Sequence, residues 1–150
     1  GVTYSEGVPE EFLDAIPLYD ERYVLLVPDA LCPDGDTITW EAASALPLML
    51  LETDMQNRRI IDKVFKEVGT RPHIIAESNG FVPAIFMAVR GMGATVIPEA
   101  LAMSLGNVGQ TRMLRLVEPD VEKSICFVAR GQGGRMPAVA ALTELLNNRE

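Results

Sequence analysis

LMLLETDMQNRRIIDKVFKEVGTRPHIIAESNGFVPAIFMAVRGMGATVIP, residues Leu48–Pro98, decides the fold, because one pattern occurs in it twice: an apolar run, a polar turn, a helical stretch and a glycine. Leu48–Leu51 is wholly apolar and strand-sized, as expected of a strand buried on both faces. Thr53, with Gln56 three places on, fits a capping box. The helix it predicts runs to Val68, with Ile60, Ile61, Val64, Phe65 and Val68 on one face. Gly69 supplies the left-handed stop. The pattern then repeats. His73–Ala76 reads as a strand, and Ser78-Asn79-Gly80 as a polar turn able to cap a helix. Pro83 is tolerable only in that helix's first turn. The helix reaches Arg90, Gly91 and Gly93 end it, and the strand Ala94–Ile97 stops at Pro98.

Outward from this core, Gly1–Tyr4 is a short strand and Ser5–Ile16 a loop with room for one helical turn. Leu18–Val27 is a strand with a continuous apolar end, stopped by Pro28. Asp29–Thr37 is a loop, and Thr39 caps a short helix through Leu46, ended by Pro47. On the other side, Glu99–Gln110 is a short helix with a glycine-rich loop, and Thr111–Val117 and Ser124–Ala129 are strands. Pro137 opens a last helix that ends near Asn148. Alternating strands and helices make the class α/β with a largely parallel sheet. Ligands in such sheets meet the loops that leave the carboxyl ends of strands.

Composition narrows the function. Lys and Arg number 13 against 21 Asp and Glu, a balance of −8 that argues against gripping nucleic acid or an anionic membrane. No apolar run is long enough to span a bilayer. The first residues read as a strand already under way, so the chain is expected to be cut short at its start. Cys32 and Cys126 lie far apart and read as reduced thiols of a cytosolic protein, and the lone His73 offers no metal site. His73 opens a buried-looking strand and is read as structural. No catalytic residue emerges. Ser78 and Ser104 lack the partners of a triad, Gly91-x-Gly93 lacks the third glycine of a dinucleotide fingerprint, and Gly131–Gly134 lacks the Lys-Ser/Thr of a P-loop. No cofactor is expected.

Three segments carry a resemblance. PLYDERYVLLVP (Pro17–Pro28) resembles the crossover strand of LysR-type transcriptional regulators. LETDMQNRRIIDKVFKEVGTRP (Leu51–Pro72) and AESNGFVPAIFMAVRGMGATVIPE (Ala76–Glu99) are similar to that family's next two segments, in the same order and spacing. TDMQNRRI (Thr53–Ile60) with RLVEP (Arg115–Pro119) also resembles a subset associated with formate dehydrogenase genes, from which no effector follows. The resemblance implies a two-lobe, periplasmic-binding-protein-like fold (type 2) with mixed sheets and a small-molecule effector between the lobes. It places the second lobe at 28–105 and the first at 1–27 with 106–150. It also implies that the winged helix-turn-helix and the opening of the first lobe precede Gly1. The first lobe is then incomplete, self-associating or partly disordered, and DNA is bound only through the missing N-terminal domain. A cytoplasmic homodimer or homotetramer is implied. A solute-binding protein of a transporter is the alternative, and an enzyme on the same fold is a third.

The candidate effector residues form three groups. Thr53, Asp54 and Asn57 stand at a helix start, where free N–H groups and a partial positive charge suit an anion, although simple capping would explain Thr53 and Asp54 is awkward for a carboxylate. Ser78, Asn79 and Gly80 resemble the family's hydroxyl-bearing loop, with a cap again the plain alternative. Thr3, Tyr4 and Ser5 lie at the end of the first strand, as cleft residues or as a hinge. Arg58 and Arg59 could pair with an effector carboxylate but more often make i,i+4 pairs or meet solvent. Met87, Met92 and Met103 are read as core filler.

Overall fold

The computed structural model describes residues 2–4 and 14–129, and side chains between 20 and 124. Its strands are β1 (Val2–Tyr4), β2 (Asp14–Glu21), β3 (Tyr23–Pro28), β4 (Thr37–Thr39), β5 (Pro47–Leu51), β6 (His73–Ser78), β7 (Ala94–Pro98), β8 (Thr111–Val117) and β9 (Lys123–Ala129). Its helices are α1 (Trp40–Ser44), α2 (Gln56–Val68), α3 (Phe81–Val89) and α4 (Glu99–Leu105). Ser5 and the helix expected from Pro137 lie outside the described residues.

The chain divides into two compact units, Gly1–Glu21 with Glu122–Glu150, and Arg22–Val121. In the first, β9 runs between β1 and β2 and is antiparallel to both. The Ser124 hydroxyl donates to Asp20 across that sheet at 2.8 Å. In the second, six strands lie in the order β4-β8-β3-β7-β5-β6. β3 is antiparallel to both its neighbours and every other pair is parallel, so the sheet is mixed as expected.

The strand expected over Leu18–Val27 is in fact two. β2 ends at Glu21, β3 begins at Tyr23, and the two belong to different sheets. The reason is polarity. Asp20-Glu21-Arg22 interrupts the apolar run, and only Tyr23–Pro28 can be buried along its whole length. The units accordingly part at Glu21 and Val121, whereas the lobe boundaries that the resemblance implied lie at Val27 and Leu105. β3 and β8 pair deep within the second unit's own sheet.

Both faces of that sheet are covered. Val24, Leu26, Met49 and Ile97 pack against Ile85 and Ala88 of α3 and Ala102 of α4. Opposite them, the fully buried Trp40 stands edge-on to Tyr23 at 6.3 Å and to Phe65 of α2 at 5.4 Å between centroids. Trp40 Nε1 donates to the Pro119 carbonyl at 3.0 Å. Each large side chain buried in these layers contributes about 1.5–3 kcal/mol. α2 ends as expected, with Gly69 at φ 78° and its N–H and that of Thr70 donating to the Lys66 and Phe65 carbonyls.

β6 is an edge strand, and its register with β5 shifts between Leu48 and Met49. His73, Ile74 and Ile75 are therefore exposed, which corrects the reading of His73 as buried: an apolar run does not reveal a sheet's edge. Met87 packs against the core, whereas Met92 and Met103 are exposed, against the expectation of core filler.

Gly93 sits so close to the neighbouring strand that a Cβ there would lie 2.7 Å from the Pro47 carbonyl oxygen. Gly93→Ala is expected to cost about 1–3 kcal/mol, read as a lower urea midpoint. Gly80 has open space around it and an extended φ of 179°. Gly80→Ala should stay within about 0.5 kcal/mol of the parent in the same measurement.

Candidate functional site

β5 and β6 run parallel and in register at their carboxyl ends, Leu51 opposite Ser78. The Glu52 N–H donates to the Ser78 carbonyl at 2.9 Å, which carries the pairing one residue past the strand. The turn after β5 leads into α2 and the turn after β6 into α3. The fold thus brings two of the three candidate groups together, Thr53, Asp54 and Asn57 with Ser78, Asn79 and Gly80. Thr3 and Tyr4 lie in β1 of the first unit, and Ser5 falls outside the described residues.

The expected capping box is not formed. α2 starts at Gln56 with Met55 as its N-cap and has no side-chain cap. Glu52–Met55 instead closes as a turn of its own, with the Met55 N–H on the Glu52 carbonyl, and this carries Thr53 out of capping reach. Nor does Ser78 cap α3. Its hydroxyl donates to the Gly80 carbonyl at 2.8 Å, and Gly80 is an N-cap without a side chain. Thr39 shows the contrast, accepting from the Ala42 N–H at 3.0 Å at the start of α1. At neither α2 nor α3 does the N-cap residue itself make a side-chain cap bond, and the positive end of each helix dipole lies at these turns. Thr53, Asp54 and Asn79 are exposed beside them, while Asn57 and Ser78 are buried.

One side chain lies beneath the two turns. Arg58 is 6% exposed. Its Nη1 donates to the Leu51 carbonyl at 2.7 Å and to Glu77 Oε2 at 2.8 Å, and its Nε to Asp62 Oδ1 at 2.8 Å. Burial pulls its pKa down, but hydrogen bonds to Asp62 and Glu77 and their charges outweigh this, so the guanidinium is held above its ordinary value. This corrects the idea of Arg58 as a free partner for an effector carboxylate. The i,i+4 pair with Asp62 was legible from spacing, but the bonds to Leu51 and Glu77 depend on how strands are ordered in the sheet. Arg59 is exposed.

Among the described residues no group of three or more His, Cys, Asp or Glu side chains could hold a metal ion. No helix among them is long and apolar enough to cross a membrane.

A family model described as the LysR substrate binding domain matches residues 1–150. The nitrogen assimilation regulatory protein nac of Klebsiella aerogenes is 27% identical over 115 residues, 77% of this chain and 37% of that protein. CbnR, a LysR family transcriptional regulator, superposes with a TM-score of 0.81 at 17% identity over 99% of this chain and 51% of that one. The effector binding domain of QuiR in complex with shikimate gives 0.78 at 18% identity, over 99% of this chain and 69% of that one. The fold is the two-lobe, periplasmic-binding-protein-like fold of LysR effector-binding domains. The chain spans little more than a third of the curated relative's length.

Two substitutions separate a cap from a surface hydroxyl. Thr39→Ala removes a formed cap and should cost about 1 kcal/mol in urea unfolding. Thr53→Ala removes none and should cost less than about 0.5 kcal/mol.

Proposed function

Because this chain belongs to the LysR substrate-binding domain family, we propose that it senses a small metabolite and passes the binding event to a helix-turn-helix elsewhere in the full-length regulator. The family match over residues 1–150 is the observation that carries this reading. In it the chain is a cytoplasmic sensor and not an enzyme, and its acidic balance of −8 leaves DNA to the other domain. The two lobes correspond to the two compact units.

The effector is a small carboxylate. Its anionic end meets the positive ends of α2 and α3, whose N-cap residues make no side-chain cap bond. Asp54, which can only accept, takes a hydroxyl of the same molecule. Asn79 contacts the effector directly, Thr53 and Gly80 border it, and the buried Asn57 and Ser78 shape the two turns. Thr3, Tyr4 and Ser5 are further candidate effector residues of this reading. Shikimate, the molecule in complex with the QuiR domain, is a hydroxylated carboxylate of this kind. The ligand has to bind two states of the regulator unequally to act as a signal.

The regulator works as a homodimer or homotetramer. Val82 and Phe86, one turn apart on α3, are 78% and 63% exposed, which supports a partner on that face.

Calorimetry of the full chain with shikimate and other small carboxylates tests the sensor reading. One of them is expected to bind, and Asn79→Ala is expected to weaken it about tenfold, roughly 1.4 kcal/mol, with the melting temperature unchanged. No heat from any carboxylate would remove the reading. For assembly, Phe86→Asp should shift sedimentation toward a smaller species while the circular dichroism spectrum stays as in the parent.

A further inference from the structure

We propose that Arg58 is a positioning residue of the effector site: its guanidinium sets the Glu52–Met55 turn against the Ser78–Gly80 turn without touching the effector. The proposal rests on the reading above, in which those turns hold the effector. β6 is an edge strand, paired on one side only to β5 and interrupted by a register shift. Its carboxyl end is therefore held by fewer bonds than that of an inner strand. Arg58 supplies the missing constraint. A single nitrogen, Nη1, bonds the last carbonyl of β5 at 2.7 Å and the carboxylate of Glu77, next to last in β6, at 2.8 Å. Any sliding of one strand end past the other stretches one of these two bonds. The Nε bond to Asp62, one turn further along α2, fixes the side chain against its own helix. One residue of α2 thus ties its own helix to both strands from which the turns depart.

The same bonds keep Arg58 from the effector. The side chain is 7% exposed, and its charge is taken by two carboxylates that an effector anion would have to displace. Lysine could retain a donor to Leu51 and Glu77 but could not also reach Asp62 as the planar fork does.

Amide hydrogen exchange on the unliganded full-length chain tests this. Arg58→Met is expected to raise exchange at Glu52, Met55 and Ser78 together by about tenfold or more, with Leu25 and Leu114 unchanged. Arg58→Lys should restore most of the protection. Glu77→Gln, which keeps an acceptor but loses the charge, should loosen Ser78 more than Met55, and it serves if Arg58→Met does not fold. Loosening spread evenly over β3 and β8, a lysine variant no better than methionine, or no change at the turns would overturn the proposal. So would loss of shikimate binding in Arg58→Lys with turn exchange at the parent level, which would make Arg58 a contact. The sensor reading fails on a different result, the absence of carboxylate binding by the parent chain.

Discussion

β3 lies in the middle of a six-stranded sheet with all six of its residues buried. Such a strand has to be covered twice, because each face left to water would expose a row of aliphatic side chains. That constraint explains the layers. α3 and α4 cover Val24 and Leu26 on one side. Tyr23, at the start of the same strand, meets the cluster of Trp40 and Phe65 on the other. Because α2 and α3 follow parallel strands on opposite faces, their starts come out at the same edge of the sheet. The candidate site is a by-product of covering β3 from both sides.

Much of this was legible in the sequence, and the reasons are local. A helix stop at Gly69 requires only a left-handed residue after an amphipathic run, and that was visible in one line of sequence. The Thr39 cap was legible for the same reason, since Thr39 and Ala42 are three residues apart. The failures share an opposite cause. Thr53 satisfied the capping-box pattern, yet Glu52–Met55 closed its own turn first, and propensity cannot rank two local motifs that compete for one stretch. Leu18–Val27 looked like one strand because a short polar interruption is common within strands. That it separates two sheets is a tertiary fact.

The site shows the same division. Its location at the carboxyl ends of strands follows from the α/β class, the helix start pointed to Thr53, Asp54 and Asn57, and the resemblance supplied Ser78, Asn79 and Gly80. The pairing of Leu51 with Ser78 was hidden, because strand order within a sheet is not written in either segment alone. Arg58 illustrates the limit. Spacing gave its partner Asp62, four residues away, but Glu77 lies 19 residues on and becomes a neighbour only once β5 and β6 are placed side by side.

The chain's single tryptophan has a practical consequence. Trp40 is shielded from water, flanked by two aromatic rings, and hydrogen-bonded to a carbonyl 79 residues away. Its fluorescence therefore reports the integrity of Arg22–Val121 from inside that unit's aromatic cluster. An emission maximum near the blue end, moving to the red on denaturation, would follow the loosening of that one unit with no label added.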